Sequence, residues 1–329
     1  MAKAEQIKAI LKSYIDKDDA RFYSVMMQLA ATEARNGHGK LAEEIKKLID
    51  DARERNMLPT EQKSPIPIST PRGELSGLLT VDFPKLRLSD MILPQKTLRR
   101  LQRILKEHRH IGTLKNHGLE PRRKLLLIGA PGCGKTMTAA VIAGELGIPH
   151  FTVRLDGLIT KFLGETAAKL KLIFDSLENA RGVYLFDEFD AIGSQRAFLN
   201  DVGEIRRVLN SFLMLIERDN SNSLIIAATN HPQSLDFALY RRFDDIIEYT
   251  LPEKEQITQF LKGRLSSLKD SRLDFSKISE QATGLSYADL ASVCDDVLKD
   301  MIMEEKTSVD TDHVLQTISE KKSIREKRI

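Results

Sequence analysis

Residues 129–136 read GAPGCGKT, and that spacing of glycines, lysine and threonine suits one chemistry, the holding of a phosphate chain. Gly129, Gly132 and Gly134 let backbone N–H groups turn inward around phosphate oxygens, and a helix starting behind them adds the positive end of its dipole. The run Gly129, Ala130, Pro131, Gly132, Cys133, Gly134, Lys135, Thr136 and Met137 is therefore expected to line a nucleotide. Lys135 is expected to reach the β- and γ-phosphates, and Thr136 to offer its hydroxyl to Mg²⁺. Cys133 reads as a small filler rather than a redox switch, since no charged partner is evident beside it.

A metal-binding phosphate site needs a second acidic element, and VYLFDEFD at 183–190 places one at a strand end. Asp187 is expected to hold Mg²⁺ through its water shell, and Glu188 to polarise the attacking water; the alternative is a loop carboxylate at 188. Asp190 and Gly193 also spell D-x-x-G, as in GTPases, but no N-K-x-D guanine reader follows. The fourth strand instead ends in ATNHPQ, where Asn230 either orients the water from a neighbouring strand or caps the turn before Pro232. Arg241 and Arg242 precede the fifth strand. An arginine there can stabilise charge on the transferred phosphoryl group, or Arg242 can pair with Asp244 or Asp245 of its own chain.

The elements that position these residues follow from hydrophobic patterning. Apolar runs at 124–129, 150–155, 183–187, 224–229 and 245–249 alternate with helical periods, which indicates strands buried on both faces of a parallel sheet. The expected fold is α/β, a phosphate-loop fold with a five-stranded parallel sheet. Strand signals stop after Pro252, so residues 252–329 are expected to form a helical lid domain, and residues 77–251 the nucleotide-binding domain. Residues 4–53 carry three successive helical windows, predicting a small N-terminal helical bundle over 1–54. Between them, residues 55–76 hold four prolines and no helical period, as a linker would. The alternation at 77–88 predicts an edge strand. Residues 96–110 predict an amphipathic helix with a basic face, read as a solvated surface before a nucleic-acid surface.

One aromatic stands apart. Phe162 falls in a predicted turn, KFLGE, ahead of a helix whose Leu170, Ile173, Phe174 and Leu177 already complete a buried stripe. It is expected to be kept for another molecule rather than for the core.

Composition narrows the class. With 329 residues, 41% of them hydrophobic and 29% charged, the chain reads as soluble, and 50 Lys and Arg against 47 Asp and Glu give no strong field towards nucleic acid or membrane. Two cysteines fit a reducing compartment, and the N-terminus lacks an apolar signal core. A cytoplasmic protein with no membrane span is expected.

GAPGCGKT, LFDEFDAIGSQR, AATNHPQSLD, ALYRRFD and GLSYADL, in this order over about residues 85–315, resemble the AAA ATPases. The resemblance implies ATP and Mg²⁺ as cofactors and a homo-hexameric ring with nucleotide at subunit interfaces. Arg241 and Arg242 would then act on the neighbour's ATP, and Lys161, Phe162 and Leu163 would form a loop facing the central pore. It further implies remodelling or threading of a polypeptide, with a nucleotide-gated switch and a nucleic-acid motor as competing readings. Two features depart from the family's pattern: Arg241-Arg242-Phe243 contracts a longer Arg-Pro-Gly-Arg-Phe, as in the microtubule-severing branch, and Tyr287 stands where a glycine is usual beside the nucleotide. No arginine occurs from 284 to 290, as in members lacking that lid sensor. The N-terminal text is similar to small bacterial AAA proteins encoded beside a subtilisin-like serine protease in plasmid-maintenance and phage-defence pairs, which would make the bundle a recruitment domain.

Overall fold

Four consecutive apolar residues such as VYLF can be buried only if both faces of their strand are covered. In a computed structural model they form β4 (Val183–Phe186), buried at every position, as is its neighbour β5 (Leu224–Thr229). The structure describes residues 71, 73–158, 163–193, 202–265, 273–305 and 308–326, with 25–27, 29, 30, 32 and 43. The chain divides into two units, Met1–Ile68 and Ser69–Ile329. In the first, residues 25–27, 29, 30 and 32 are helical within the second predicted window. The rest of the predicted bundle and most of the predicted linker lie outside the described residues.

The second unit is built on a six-stranded sheet ordered β1-β3-β4-β5-β2-β6. β2 (Lys124–Gly129), β3 (His150–Val153) and β6 (Asp245–Tyr249) join β4 and β5 as the five predicted parallel strands. β1 (Leu79–Asp82) adds an antiparallel edge, pairing Leu79 with Val153 and Asp82 with His150. This edge strand is shorter than its sequence pattern suggested. Leu75–Leu78 form a short helix, α1, just before it, and Pro84, which has no N–H to donate, follows at once.

Successive strand residues point to opposite faces, and the two cores sort accordingly. Leu126, Tyr184 and Phe186 enter one, with α6 (Leu163–Asn179) and α8 (Val202–Arg218). Leu125, Leu127, Val183 and Leu185 enter the other, with α2 (Gln95–Arg109) and α4 (Lys135–Leu146). Leu170, Ile173, Phe174 and Leu177 of α6 are all buried, as the stripe predicted. Phe174, Phe186, Phe189 and Phe212 interlock in edge-on or tilted pairs with centroids 4.8 to 6.4 Å apart.

On α2 half of the six Lys and Arg are paired with carboxylates: Arg100 with Asp245, Arg103 with Glu107 and Arg109 with Glu145. Among the described residues, the other α-helices in the first part of the unit are α3 (Ile111–Asn116), α5 (Leu155–Leu158), α7 (Asp190–Gly193) and α9 (Phe237–Tyr240). Beyond Pro252 come α10 (Lys254–Arg264), α11 (Phe275–Gln281), α12 (Tyr287–Met303) and α13 (Thr311–Glu326), packed around a third core of their own. Among the described residues no helix is long and apolar enough to cross a membrane.

Polar staples fix where β2 and β6 begin. Arg123 and Asp219 form a buried ion pair, and Asp244 Oδ2 accepts from the N–H groups of Arg123 (2.8 Å) and Lys124 (2.9 Å). Removing one partner of a buried pair leaves the other charge uncompensated. Asp219→Ala is therefore expected to cost about 3–5 kcal/mol in denaturant unfolding; a loss under about 1 kcal/mol would show that packing alone holds this corner.

Candidate active site

The phosphate loop joins β2 to α4, and its glycines are needed sterically as well as conformationally. Gly132 has φ 75°, and a Cβ there would meet Ser286 Oγ at 2.6 Å and Ala288 Cβ at 2.8 Å. The loop is thus pressed against the first turn of α12, whose Ala288 N–H donates to Gly132 O at 3.2 Å. Any side chain at 132 would drive α12 and the loop apart.

Lys135 is only 6% exposed. Its Nζ donates to the carbonyls of Gly129 (2.9 Å) and Ala130 (2.8 Å) and to Asn230 Oδ1 (2.7 Å). Burial is the main cause that lowers its pKa below the ordinary lysine value, against a raising pull from Cys133, Asp187 and Asp190. Thr136 Oγ1 donates to Asp187 Oδ2 at 2.7 Å, so the hydroxyl and carboxylate expected to share Mg²⁺ already face each other. Glu188 has φ 48°, in the left-handed region that a non-glycine residue rarely occupies, and its N–H donates to Asp187 Oδ1 at 2.9 Å.

Asn230 leaves β5 between two fixed points: Thr229 Oγ1 donates to Asp190 Oδ1 (2.8 Å) and accepts from His231 N–H (2.9 Å). Its side-chain oxygen faces Lys135 rather than capping the following turn. Lys135, Thr136, Met137, Asp187, Glu188 and Asn230 line one cleft of about 460 Å³ with Pro131, Gly132 and Gly134. The two predicted carboxylates, the lysine and the asparagine are brought together.

The arginines are not part of that cleft. Arg242 pairs with Glu217 at 3.1 Å, and Arg241 lies 5.4 Å over the ring of Phe237. The alternative pairing of Arg242 with Asp244 or Asp245 does not occur, because Asp244 is taken by backbone N–H groups and Asp245 by Arg100. Lys161 and Phe162 lie outside the described residues, and Leu163 is described only as the backbone start of α6.

The sequence reading missed part of the wall. Phe260 and Arg264 of α10 and Ala288 and Ala291 of α12 line the cleft beside Tyr287. Phe260 and Arg264 are spaced i,i+4, which puts them on one helix face, but such pairs occur on any helix. Only the unusual Tyr287 was a sign.

Comparison with known proteins agrees with this geometry. Residues 125–251 match the family described as "ATPase family associated with various cellular activities (AAA)". Over 309 residues the chain is 34% identical to the uncharacterized AAA family ATPase y4kL of Sinorhizobium fredii, covering 94% of this chain and 92% of that protein. The chain belongs to the AAA family of ATPases. It is also 33% identical to a proteasome-activating nucleotidase of Thermococcus kodakarensis and 34% to one of Pyrococcus furiosus, each over 252 residues, 74% of this chain and 63% of that protein. This AAA ATPase therefore spans less than two thirds of the nucleotidases' length. In fold it is similar to the FIGL-1 AAA domain, with TM-score 0.59 and 23% identity over 74% of this chain and 85% of that one.

A lowered lysine pKa means that the neutral amine, which cannot attract phosphate, appears at lower pH than for a free lysine. ATP affinity is therefore expected to fall on the alkaline side at a pH below the ordinary 10.5 of lysine, and Lys135→Ala to abolish both binding and that limb. Calorimetric titration across pH checks this; a limb that persists in Lys135→Ala would assign it elsewhere.

Proposed function

We propose that this AAA ATPase hydrolyses Mg²⁺-bound ATP at the interfaces of a homo-hexameric ring and uses the cycle to remodel or thread a polypeptide. The observation that carries the reading is the single cleft in which Lys135, Thr136, Asp187, Glu188 and Asn230 converge. Lys135 offers a buried positive charge to the β- and γ-phosphates. Glu188 accepts the proton of the water that attacks the γ-phosphorus, and Asn230, hydrogen-bonded to Lys135, orients that water.

The donor set fits Mg²⁺. Thr136 Oγ1 and Asp187 Oδ2 are hard oxygens side by side, and no group of three His, Cys, Asp or Glu among the described residues would cage a metal without the nucleotide. One hydroxyl and one carboxylate, completed by phosphate and water, is the usual magnesium arrangement. When bound, the ion neutralises charge on the phosphate oxygens.

Action across an interface is supported by the position of Arg241 and Arg242 outside their own chain's cleft. A polypeptide substrate is supported by the likeness to nucleotidases that, by name, activate a proteasome. In this reading Lys161, Phe162 and Leu163 grip the polypeptide and the N-terminal unit recruits the partner, for which the N-terminal resemblance suggests a subtilisin-like protease. The setting is a bacterial cytoplasm.

Two experiments test it. Glu188→Gln is expected to bind ATP and lose turnover, and an Arg241→Ala, Arg242→Ala protein to be inactive alone. Mixed rings of the two contain interfaces with an intact base facing intact arginines, so hydrolysis should partly return; mixing shown by mass spectrometry without recovery removes the interfacial role. Phe162→Ala should keep the thermal unfolding temperature and lose partner-stimulated hydrolysis. A large fall in melting temperature would make Phe162 a core residue.

A further inference from the structure

Two adjacent arginines lie outside their own chain's cleft, and they are held differently. The turn that carries them is fixed through its backbone: Asp236 Oδ1 accepts from Ala238 N–H at 2.8 Å, and Arg242 N–H donates to Leu239 O at 2.9 Å. Leu239 and Phe243 are buried on either side of the pair. The side chains then part company. Arg241 is exposed and lies over the ring of Phe237, which is exposed too, and a ring face attracts a guanidinium without fixing the direction of its N–H groups. Arg242 is instead pinned by an ion pair, Nη2 to Glu217 Oε2 at 3.1 Å.

Burial along the Arg242 side chain sharpens the contrast. Its Nε is buried and, among the described residues, makes no hydrogen bond, so the stem is sunk into the protein and only the two terminal nitrogens face outward. One of them meets Glu217, which leaves the remaining terminal N–H groups for a further anion. Glu217 itself is a fixed post, because it stands in the last turn of α8 directly after Ile216, which is fully buried. The Glu217 side chain is 60% exposed, and a pair this exposed adds little to stability. What it does is keep a long side chain, rich in rotamers, in one place.

We propose that Glu217 is a positioning residue that holds Arg242 ready, so that Arg242 and not Arg241 is the arginine presented to the phosphates of the nucleotide in the neighbouring subunit. Glu217 touches neither nucleotide nor water; it acts through Arg242. The inference rests on the interfacial reading above and adds to it which arginine acts and what sets its direction. An arginine left to wander must be ordered at every turnover, and that cost falls on the transition state rather than on ATP binding.

The test measures steady-state ATP hydrolysis by the full chain. Glu217→Ala is expected to lower kcat about 5- to 30-fold and to leave KM for ATP within about twofold. Arg242→Ala should lose on the order of 10³-fold, Arg241→Ala far less, and adding Glu217→Ala to Arg242→Ala should cost nothing more, since both changes remove one unit. A second measurement dilutes Glu217→Ala subunits into an excess of Glu188→Gln subunits, which lack the base but supply an intact Arg242. The rate per base-bearing subunit should then match that of parent subunits diluted in the same way. A full rate in undiluted Glu217→Ala, a deficit that survives dilution, a further loss on top of Arg242→Ala, or a Glu217→Ala chain that no longer assembles by native mass spectrometry would overturn the proposal. Parent-like hydrolysis by both Arg241→Ala and Arg242→Ala would instead fail the interfacial reading itself, and this inference with it.

Discussion

Everything at the cleft depends on the parallel pairing of three adjacent strands, β4, β5 and β2. Their register sets Phe186 opposite Ala227 and Ile128 opposite Thr229, so the residues that leave these strands, Asp187, Asn230 and the phosphate loop, emerge along one edge. Parallel strands share a direction, and their carboxyl ends therefore open on the same crevice, the place where α/β sheets bind ligands. A shift of one residue would turn Asp187 or Asn230 to the other face. The apolar runs buried on both faces make that shift costly, which is how core packing becomes active-site geometry.

The second constraint is the contact between Gly132 and the start of α12. Because the start of α12 touches the 129–136 loop directly, through Ala288 N–H to Gly132 O and the close approach of Ser286, the helices after Pro252 complete the cleft. The loop and the first turn of α12 thus share one contact. Any change in one is mechanically available to the other.

The sequence showed the sheet and the phosphate end of the site clearly because both depend on local signals. Short apolar runs that alternate with helical periods suit strands buried on both faces, and the spacing of GAPGCGKT carries its geometry within eight residues. What stayed hidden was long-range. Arg242 finds Glu217 and Arg100 finds Asp245 because helices dock on the sheet, and no spacing announces such partners. Phe260 and Arg264 look like any solvated helical pair until α10 is folded over the cleft. The edge strand was overestimated because alternation continued past Pro84, where a missing N–H ends the ladder.

The left-handed backbone of Glu188 answers a conflict that extended geometry cannot resolve. In a strand, consecutive side chains face opposite ways, yet Asp187 and Glu188 both line the cleft, while Phe189 is fully buried among Phe186, Phe212 and Phe243. The turn at φ 48° lets two neighbouring carboxylates reach the same space and still sends the next ring into the core. Such a conformation persists only when its surroundings over-determine it. Here Phe189 N–H donates to Ala228 O at 2.9 Å, and Ala191 N–H to Glu188 O at 3.0 Å, so the backbone is held on both sides of the strained residue. The aromatic core under the sheet thus keeps Glu188 aimed into the cleft, and a buried residue that does not line the cleft, Phe189, belongs to the support of the proposed base.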